Sequence, residues 1–169
     1  NQLGLDKVYL MPTYLPPHVD EKKTISSEHR LAMLELAVAD NPCLDIEPIE
    51  LIRKGKSYTY DTMKALKEAN PDTDYYFIIG GDMVEYLPKW HRIDDLLHLV
   101  QFVGIRRPNY PTESTYPIIW VDVLQMAISS TLIRQKVKSG CSTRYLLPEN
   151  VINYIQEKGL YQDELDNKL

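Results

Sequence analysis

The sequence predicts a doubly wound, parallel α/β fold, and three observations carry the prediction. Segments rich in β-branched and aromatic residues alternate with helical patterns along the 169 residues, which is how successive βαβ units read. One such segment, Tyr75 to Ile79, holds only aromatic and β-branched residues. It does not alternate, so neither face is built for water, and it reads as a central strand covered by helices on both sides. Gly80 and Gly81 then stop it, with Asp82 next and Trp90 shortly after. Two glycines allow positive φ and the close approach of a ligand. Ligands of open α/β sheets bind at the carboxyl ends of strands. An ordinary tight turn with a core tryptophan is the alternative reading of this stretch, since glycine is common at such junctions.

The elements follow in order. Asn1 to Asp6 reads as the end of a helix entering a strand, with Gly4 at a C-cap position, so a further N-terminal segment is expected. Lys7 to Met11 is a short strand ended by Pro12. Thr13 to Lys23 is a loop, because Pro16-Pro17 suits neither a ladder nor a helix interior, and His18 follows the prolines. Ser26 or Ser27 caps a helix with Glu28 in its first turn, and Asn41-Pro42 ends it. Leu44 to Ile52 alternates around Pro48 and predicts an edge or bulged strand. Thr59 caps a helix through Lys67 with Met63 and Leu66 facing inward. After the glycine pair, Asp82 caps a short helix over Met83 to Leu87, closed by Pro88. Ile93 to Leu99 is a short helix, and Val100 to Ile105 and Ile118 to Val123 are strands flanking a proline-bearing loop. Ile128 to Arg134 opens a helix ending near Gly140, and a last helix runs from about Pro148 to Lys158. There is no internal repeat and no linker, so residues 1–169 are taken as one domain.

Composition narrows the function classes. A hydrophobic share of 44% and a charged share of 25% are those of a globular protein with a substantial core. No apolar run approaches the ~20 residues of a membrane span. The net charge of -5 argues against general nucleic-acid binding, which requires a basic face, while leaving room for a local phosphate pocket. Cys43 and Cys141 match no metal spacing, and with no secretory leader a reducing cytoplasm is expected.

Among chemistry-bearing residues, Ser129, Ser130 and Thr131 at a helix start leave backbone N–H groups pointing outward, an anion site strengthened by the helix dipole. Arg134 lies about one and a half turns on, within reach of the same anion and able to grip phosphate with its forked guanidinium. Plain N-capping with a solvated arginine is the competing account. His29 and His98 have no ligand spacing to another His or Cys and read as structural or surface residues. The 12 tyrosines are spread over predicted strands and read as packing.

Several segments together resemble bacterial nicotinate-nucleotide adenylyltransferases of the nucleotidylyltransferase superfamily. They are MPTYLPPH (11–18), GKSYTYDT (55–62), YYFIIGGDMVEYLPKWHRIDDLL (75–97), GIRRPNYP (104–111) and ISSTLIR (128–134). They occur in the family's order and spacing and cover the chain almost end to end, and LPKW with ISSTLIR is highly specific. The resemblance implies a Rossmann-like nucleotidylyltransferase fold and adenylyl transfer from ATP to nicotinate mononucleotide, giving deamido-NAD and pyrophosphate with the help of Mg²⁺. It implies no covalent enzyme intermediate, and it assigns no residue of this chain to a metal. Trp90 matches the tryptophan that stacks on the nicotinate ring, and the backbone at Thr59 and His91 matches the groups holding its carboxylate. Gly80 and Asp82 match the adenosine site, and Ser129, Ser130 and Arg134 the ATP phosphate site. His18 and Arg134 are the candidate catalytic residues, and Arg107 matches less well a cation for the mononucleotide's phosphate. A homodimer is left open.

Departures from the family exist. Val19 follows His18 where many relatives carry lysine, and Gly81 replaces a commoner alanine. The family's Gly-Thr/Ser-Phe-(Asp/Asn)-Pro-x-His-x-Gly-His motif has no counterpart in the sequence. It is expected on an N-terminal strand, loop and helix of about 25 residues, the scale of part of a βαβ unit. Two other functions stay open on the sequence: a superfamily transferase acting on phosphopantetheine or a choline-type phosphate, and a non-catalytic nucleotide-binding module. Trp90 and the Thr59 turn weigh against the former, whose substrates lack a pyridine ring.

Overall fold

The computed structural model describes residues 2–15, 25–106, 110 and 113–162. They form two compact units, one of Leu3–Lys56 with Ala127–Leu169 and the other of Ser57–Met126 with Gln2. Each has its own parallel sheet and its own core.

In the first unit, strand β1 (Val8–Leu10) pairs in parallel with β2 (Leu44–Ile46), Val8 opposite Leu44 and Leu10 opposite Ile46. Helix α1 (Ser27–Val38) connects them, as a parallel pair requires. Ser26 caps α1, its Oγ accepting from the His29 N–H. The predicted strand through Ile52 is corrected: after β2 the chain turns at Pro48 and forms helix α2 (Ile49–Arg53). Proline tolerates a helix start, where its missing N–H has no partner to lose, and Glu50 in the first turn favours the dipole. Gly55, at φ +75°, supplies the left-handed step that follows Lys54. Helices α6 (Ser130–Lys138) and α7 (Glu149–Glu157) complete the unit. Its core gathers Ile25, Val151, Ile155 and Leu160, with Met33, Leu36 and Val137 against them. His29 has a structural role here, its Nδ1 lying 2.8 Å from the Tyr154 hydroxyl.

The second unit holds β3 (Tyr75–Gly80), β4 (Val100–Ile105) and β5 (Ile118–Val121), all parallel, in the order β3-β4-β5. This corrects the expectation that Tyr75–Ile79 is the central strand. Among the described residues β4 is central, with Val100, Phe102, Val103 and Gly104 buried, whereas β3 is half-buried along most of its length and Ile78 is exposed. An unbroken apolar run reports that a strand's faces are covered; it carries no information about which edges are paired. Helix α3 (Thr59–Ala69) turns Tyr60, Thr62 and Met63 inward. Thr59 is its first residue and not its cap, which is Tyr58 without a side-chain bond. Helices α4 (Gly81–Val84) and α5 (Ile93–Leu96) are short and flank a 3₁₀ turn, Leu87–Lys89, that includes Pro88. Leu87, Leu96 and Phe102 are sealed from solvent in this core. Burying a side chain of that size contributes roughly 1.5–3 kcal/mol.

Among the described residues no helix is long and apolar enough to cross a membrane.

At Gly104 the β4–β5 pair leaves no room for a side chain. A Cβ there would lie 2.7 Å from Cε3 and Cζ3 of Trp120 and 2.9 Å from Cγ2 of Ile118. The indole therefore lies on the space a side chain would take. Gly104→Ala is expected to destabilise by about 1–3 kcal/mol, the usual cost of overpacking. Urea denaturation measures it, and an unchanged midpoint would show that Trp120 moves aside freely.

Candidate active site

Gly80 closes β3 with φ -70° and ψ 149° and serves as the N-cap of α4. Neither glycine of the pair has positive φ, so the left-handed step that the sequence allows is not used there. Gly81 is buried in the first turn of α4. Asp82 lies in that turn rather than capping it, where the positive end of the peptide dipoles favours a carboxylate. The next turn over Leu87–Lys89 delivers Trp90, whose N–H donates to the Leu87 carbonyl at 2.9 Å.

Trp90 is half-buried. It meets Phe77 of β3 edge-on at 5.8 Å and 89° and Phe102 of β4 at 5.9 Å and 73°. Quadrupoles favour such T-shaped contacts. The tryptophan is thus a core residue and a partly exposed one at once, and the two readings of it do not compete. His91 is exposed, with its ring 4.7 Å from Tyr58 and 6.4 Å from Tyr60. Those tyrosines stand on either side of Thr59, so the structure brings the start of α3 against the residue 90–92 turn. Arg92 adopts the left-handed conformation, φ 54° and ψ 45°. Its guanidinium lies over the Tyr60 ring at 4.1 Å, and Nε bonds Asp95 Oδ2 at 2.7 Å.

Ser129 caps α6, its Oγ accepting from the Leu132 N–H at 3.2 Å. Ser130 begins the helix and is exposed. Arg134 is exposed as well, one Nη 3.3 Å from Thr131 Oγ1. Burial pushes the Tyr161 hydroxyl up, opposed by the positive charges of Arg134 and Arg30, so Arg134 adds to a positive field on this unit.

The structure therefore places Thr59, Gly80, Asp82, Trp90 and His91 in the second unit and Ser129, Ser130 and Arg134 in the first. His18 and Arg107 lie outside the described residues. His98 is exposed in the turn after α5, away from any ligand cluster. Among the described residues no three His, Cys, Asp or Glu side chains gather as a protein metal cage requires. Tyr58, Tyr60 and Arg92 were not singled out from the sequence. The signal for the tyrosines was present in the Tyr-Thr-Tyr triplet flanking Thr59.

A family model described as cytidylyltransferase-like matches residues 1–136. A probable nicotinate-nucleotide adenylyltransferase of Enterococcus faecalis (strain ATCC 700802 / V583) is 99% identical over 169 residues, covering 100% of this chain and 77% of the relative. Its counterpart in Streptococcus mutans serotype c (strain ATCC 700610 / UA159) is 61% identical over 161 residues, 95% of this chain and 77% of that one. In fold, the chain is similar to Plasmodium falciparum nicotinic acid mononucleotide adenylyltransferase complexed with NaAD. That match has a TM-score of 0.74 at 17% identity, over 95% of this chain and 85% of the other.

Removing the Ser129 cap isolates one local contribution at the start of α6. Ser129→Ala leaves the Leu132 N–H without its acceptor and is expected to lower stability by about 1 kcal/mol. Urea unfolding reports it, and a change below a few tenths would mean that water replaces the cap without loss.

Proposed function

Because this chain belongs to the cytidylyltransferase-like family, among its nicotinate-nucleotide adenylyltransferases, we infer that it transfers the adenylyl group of ATP to nicotinate mononucleotide, giving deamido-NAD and pyrophosphate. The identity to curated relatives over nearly the whole chain carries the reading. The geometry that supports it best is the half-buried Trp90 beside the start of α3, which offers a flat π-surface next to backbone groups.

The chemistry is a direct displacement. An oxygen of the mononucleotide's phosphate attacks the α-phosphorus of ATP, and the bond from that phosphorus to the bridging oxygen of pyrophosphate breaks, with the electron pair leaving on pyrophosphate. No side chain forms a bond to the substrate, so the protein's contribution is positioning and charge stabilisation. We assign Trp90 to stacking on the nicotinate ring, where a cationic pyridinium adds a cation–π attraction. The backbone at Thr59 and His91 holds the nicotinate carboxylate. Gly80 and Asp82 take the adenosine. Ser129, Ser130 and Arg134 take the ATP phosphates. Since the Ser129 Oγ already accepts from Leu132, the unbonded N–H groups of the first turn of α6 carry that contact. His18 is assigned to the ATP phosphates and Arg107 to the mononucleotide's phosphate on the resemblance of their motifs alone.

Mg²⁺ is proposed as the divalent cation, neutralising charge on the phosphates when bound. Mg²⁺ retains several waters and takes much of its coordination from substrate phosphates, so this function does not require a protein cage. The compartment proposed is the cytoplasm, in keeping with the free thiols of Cys43 and Cys141. Among the described residues no observation favours a non-pyridine substrate or a non-catalytic module.

The reading is tested by incubating the full-length protein with ATP and nicotinate mononucleotide. Deamido-NAD and pyrophosphate are expected in equal amounts, and failure to form deamido-NAD would overturn it. Two variants test the two sets of assignments separately. Trp90→Ala is expected to raise the mononucleotide's KM by one to two orders of magnitude, since ring stacking and burial together are worth roughly 1.5–3 kcal/mol at 1.4 kcal/mol per decade. The KM for ATP should move little, and Tm is recorded alongside because Phe77 and Phe102 lose a partner. Arg134→Ala should instead weaken ATP and slow turnover, as loss of a charge-assisted phosphate contact does. A reversed pattern would mean that the two assignments are exchanged.

A further inference from the structure

We propose that Arg92 is a positioning residue: it clamps the Trp90–His91 turn onto the start of α3 and thereby sets the spacing of the backbone groups that select acid over amide. The proposal rests on the nicotinate mononucleotide reading above and deepens it.

Arg92 occupies a conformation that L side chains avoid, φ 54° and ψ 45°. Glycine would fit there without strain, as Gly55, Gly140 and Gly159 do at their own positive φ angles. The side chain must therefore offset its backbone, and its contacts show how. Nε bonds Asp95 Oδ2 at 2.7 Å, tying the turn to the first turn of α5. The guanidinium carbon stands 4.1 Å from the Tyr60 ring centre, over the ring. Tyr60 is buried, inside the core that contains Met63, Leu87 and Phe102. A fixed platform of this kind suits a planar, delocalised cation that stacks, which an ammonium cannot imitate.

The same tyrosine meets the His91 ring edge-on at 6.4 Å, and Tyr58 meets it at 4.7 Å. Thr59 stands between the two tyrosines, and His91 stands immediately before Arg92. The two backbone groups assigned to the carboxylate thus sit on segments joined by the Arg92–Tyr60 stack. Trp90 has its own anchor in Phe77 and Phe102. Loosening Arg92 should accordingly spoil the carboxylate grip while leaving the indole in place. A bare attraction between Arg92 and an anionic substrate is the simpler account, and it requires only the charge.

Steady-state kinetics of the full-length enzyme separate these accounts. Arg92→Ala is expected to raise the nicotinate mononucleotide KM about tenfold, with kcat and the KM for ATP within about twofold, the signature of lost substrate positioning. The preference for nicotinate over nicotinamide mononucleotide, as a ratio of kcat/KM values, should fall by a similar factor. Arg92→Gly relieves the backbone and should keep Tm while showing the same loss of preference. Arg92→Lys keeps the charge without the planar face and should resemble Arg92→Ala. Combining Tyr60→Leu with Arg92→Ala should add little to the larger single effect, because both break one contact. An unchanged preference in Arg92→Ala, full recovery in Arg92→Lys, or a parallel rise in the KM for ATP would overturn the clamp while the substrate reading stands. A wild-type enzyme that forms no deamido-NAD overturns the substrate reading and the proposal with it.

Discussion

Three aromatic rings meeting edge to face hold the candidate nicotinate site to the sheet. Phe77 comes from β3, Phe102 from β4 and Trp90 from the turn after Leu87–Lys89, each centroid within 5.9 Å of the other two. Every such pair contributes about 0.5–1.5 kcal/mol beyond the area it buries. The consequence is geometric as much as energetic. A turn carrying Trp90, His91 and Arg92 has few backbone bonds of its own, and its placement depends on this wedge. Trp90 as a residue is only half-buried, so anchoring the turn does not bury it completely.

The second requirement is that the turn face α3. Tyr58 and Tyr60 supply that through His91 and Arg92, so an aromatic wall runs from the first turn of α3 to the turn before α5. The start of α6, proposed for the phosphates, is built differently. At the start of α6 the elements are a serine cap, free N–H groups and an exposed arginine, which are polar, solvated and needed only to concentrate positive charge. A chain of net charge -5 can bind polyanionic nucleotides because that charge is local.

The alternation of strands and helices was legible in the residues, since covered strands need β-branched runs and capped helices need Ser26 and Ser129. Three details were not. The rank of β3 in its sheet was invisible, because edge pairing uses backbone groups that every sequence shares. Residues after Pro48 read as a strand, since Ile49 and Leu51 alternate as well as they turn, and a five-residue helix is too short to show its own period. Gly80 and Gly81 suggested left-handed backbone, but glycine permits that conformation without requiring it. Of the proposed site residues, Trp90, Ser129 and Arg134 stand in motifs visible in the sequence. Arg92 was not legible as one of them, because its meaning lies in a stack with a residue of another helix and in a φ angle that no composition reveals.

The central claim is that the free surface of Trp90 receives the pyridine ring. The chain has two tryptophans, Trp90 and Trp120, so a Trp120→Phe variant leaves Trp90 as the single indole reporter. Its fluorescence should be quenched saturably as nicotinate mononucleotide is added, because a pyridinium stacked on indole accepts its excited electron, and ATP alone should quench far less. Turnover that persists in this variant with no saturable quenching by the mononucleotide would contradict the claim and move the ring to another surface.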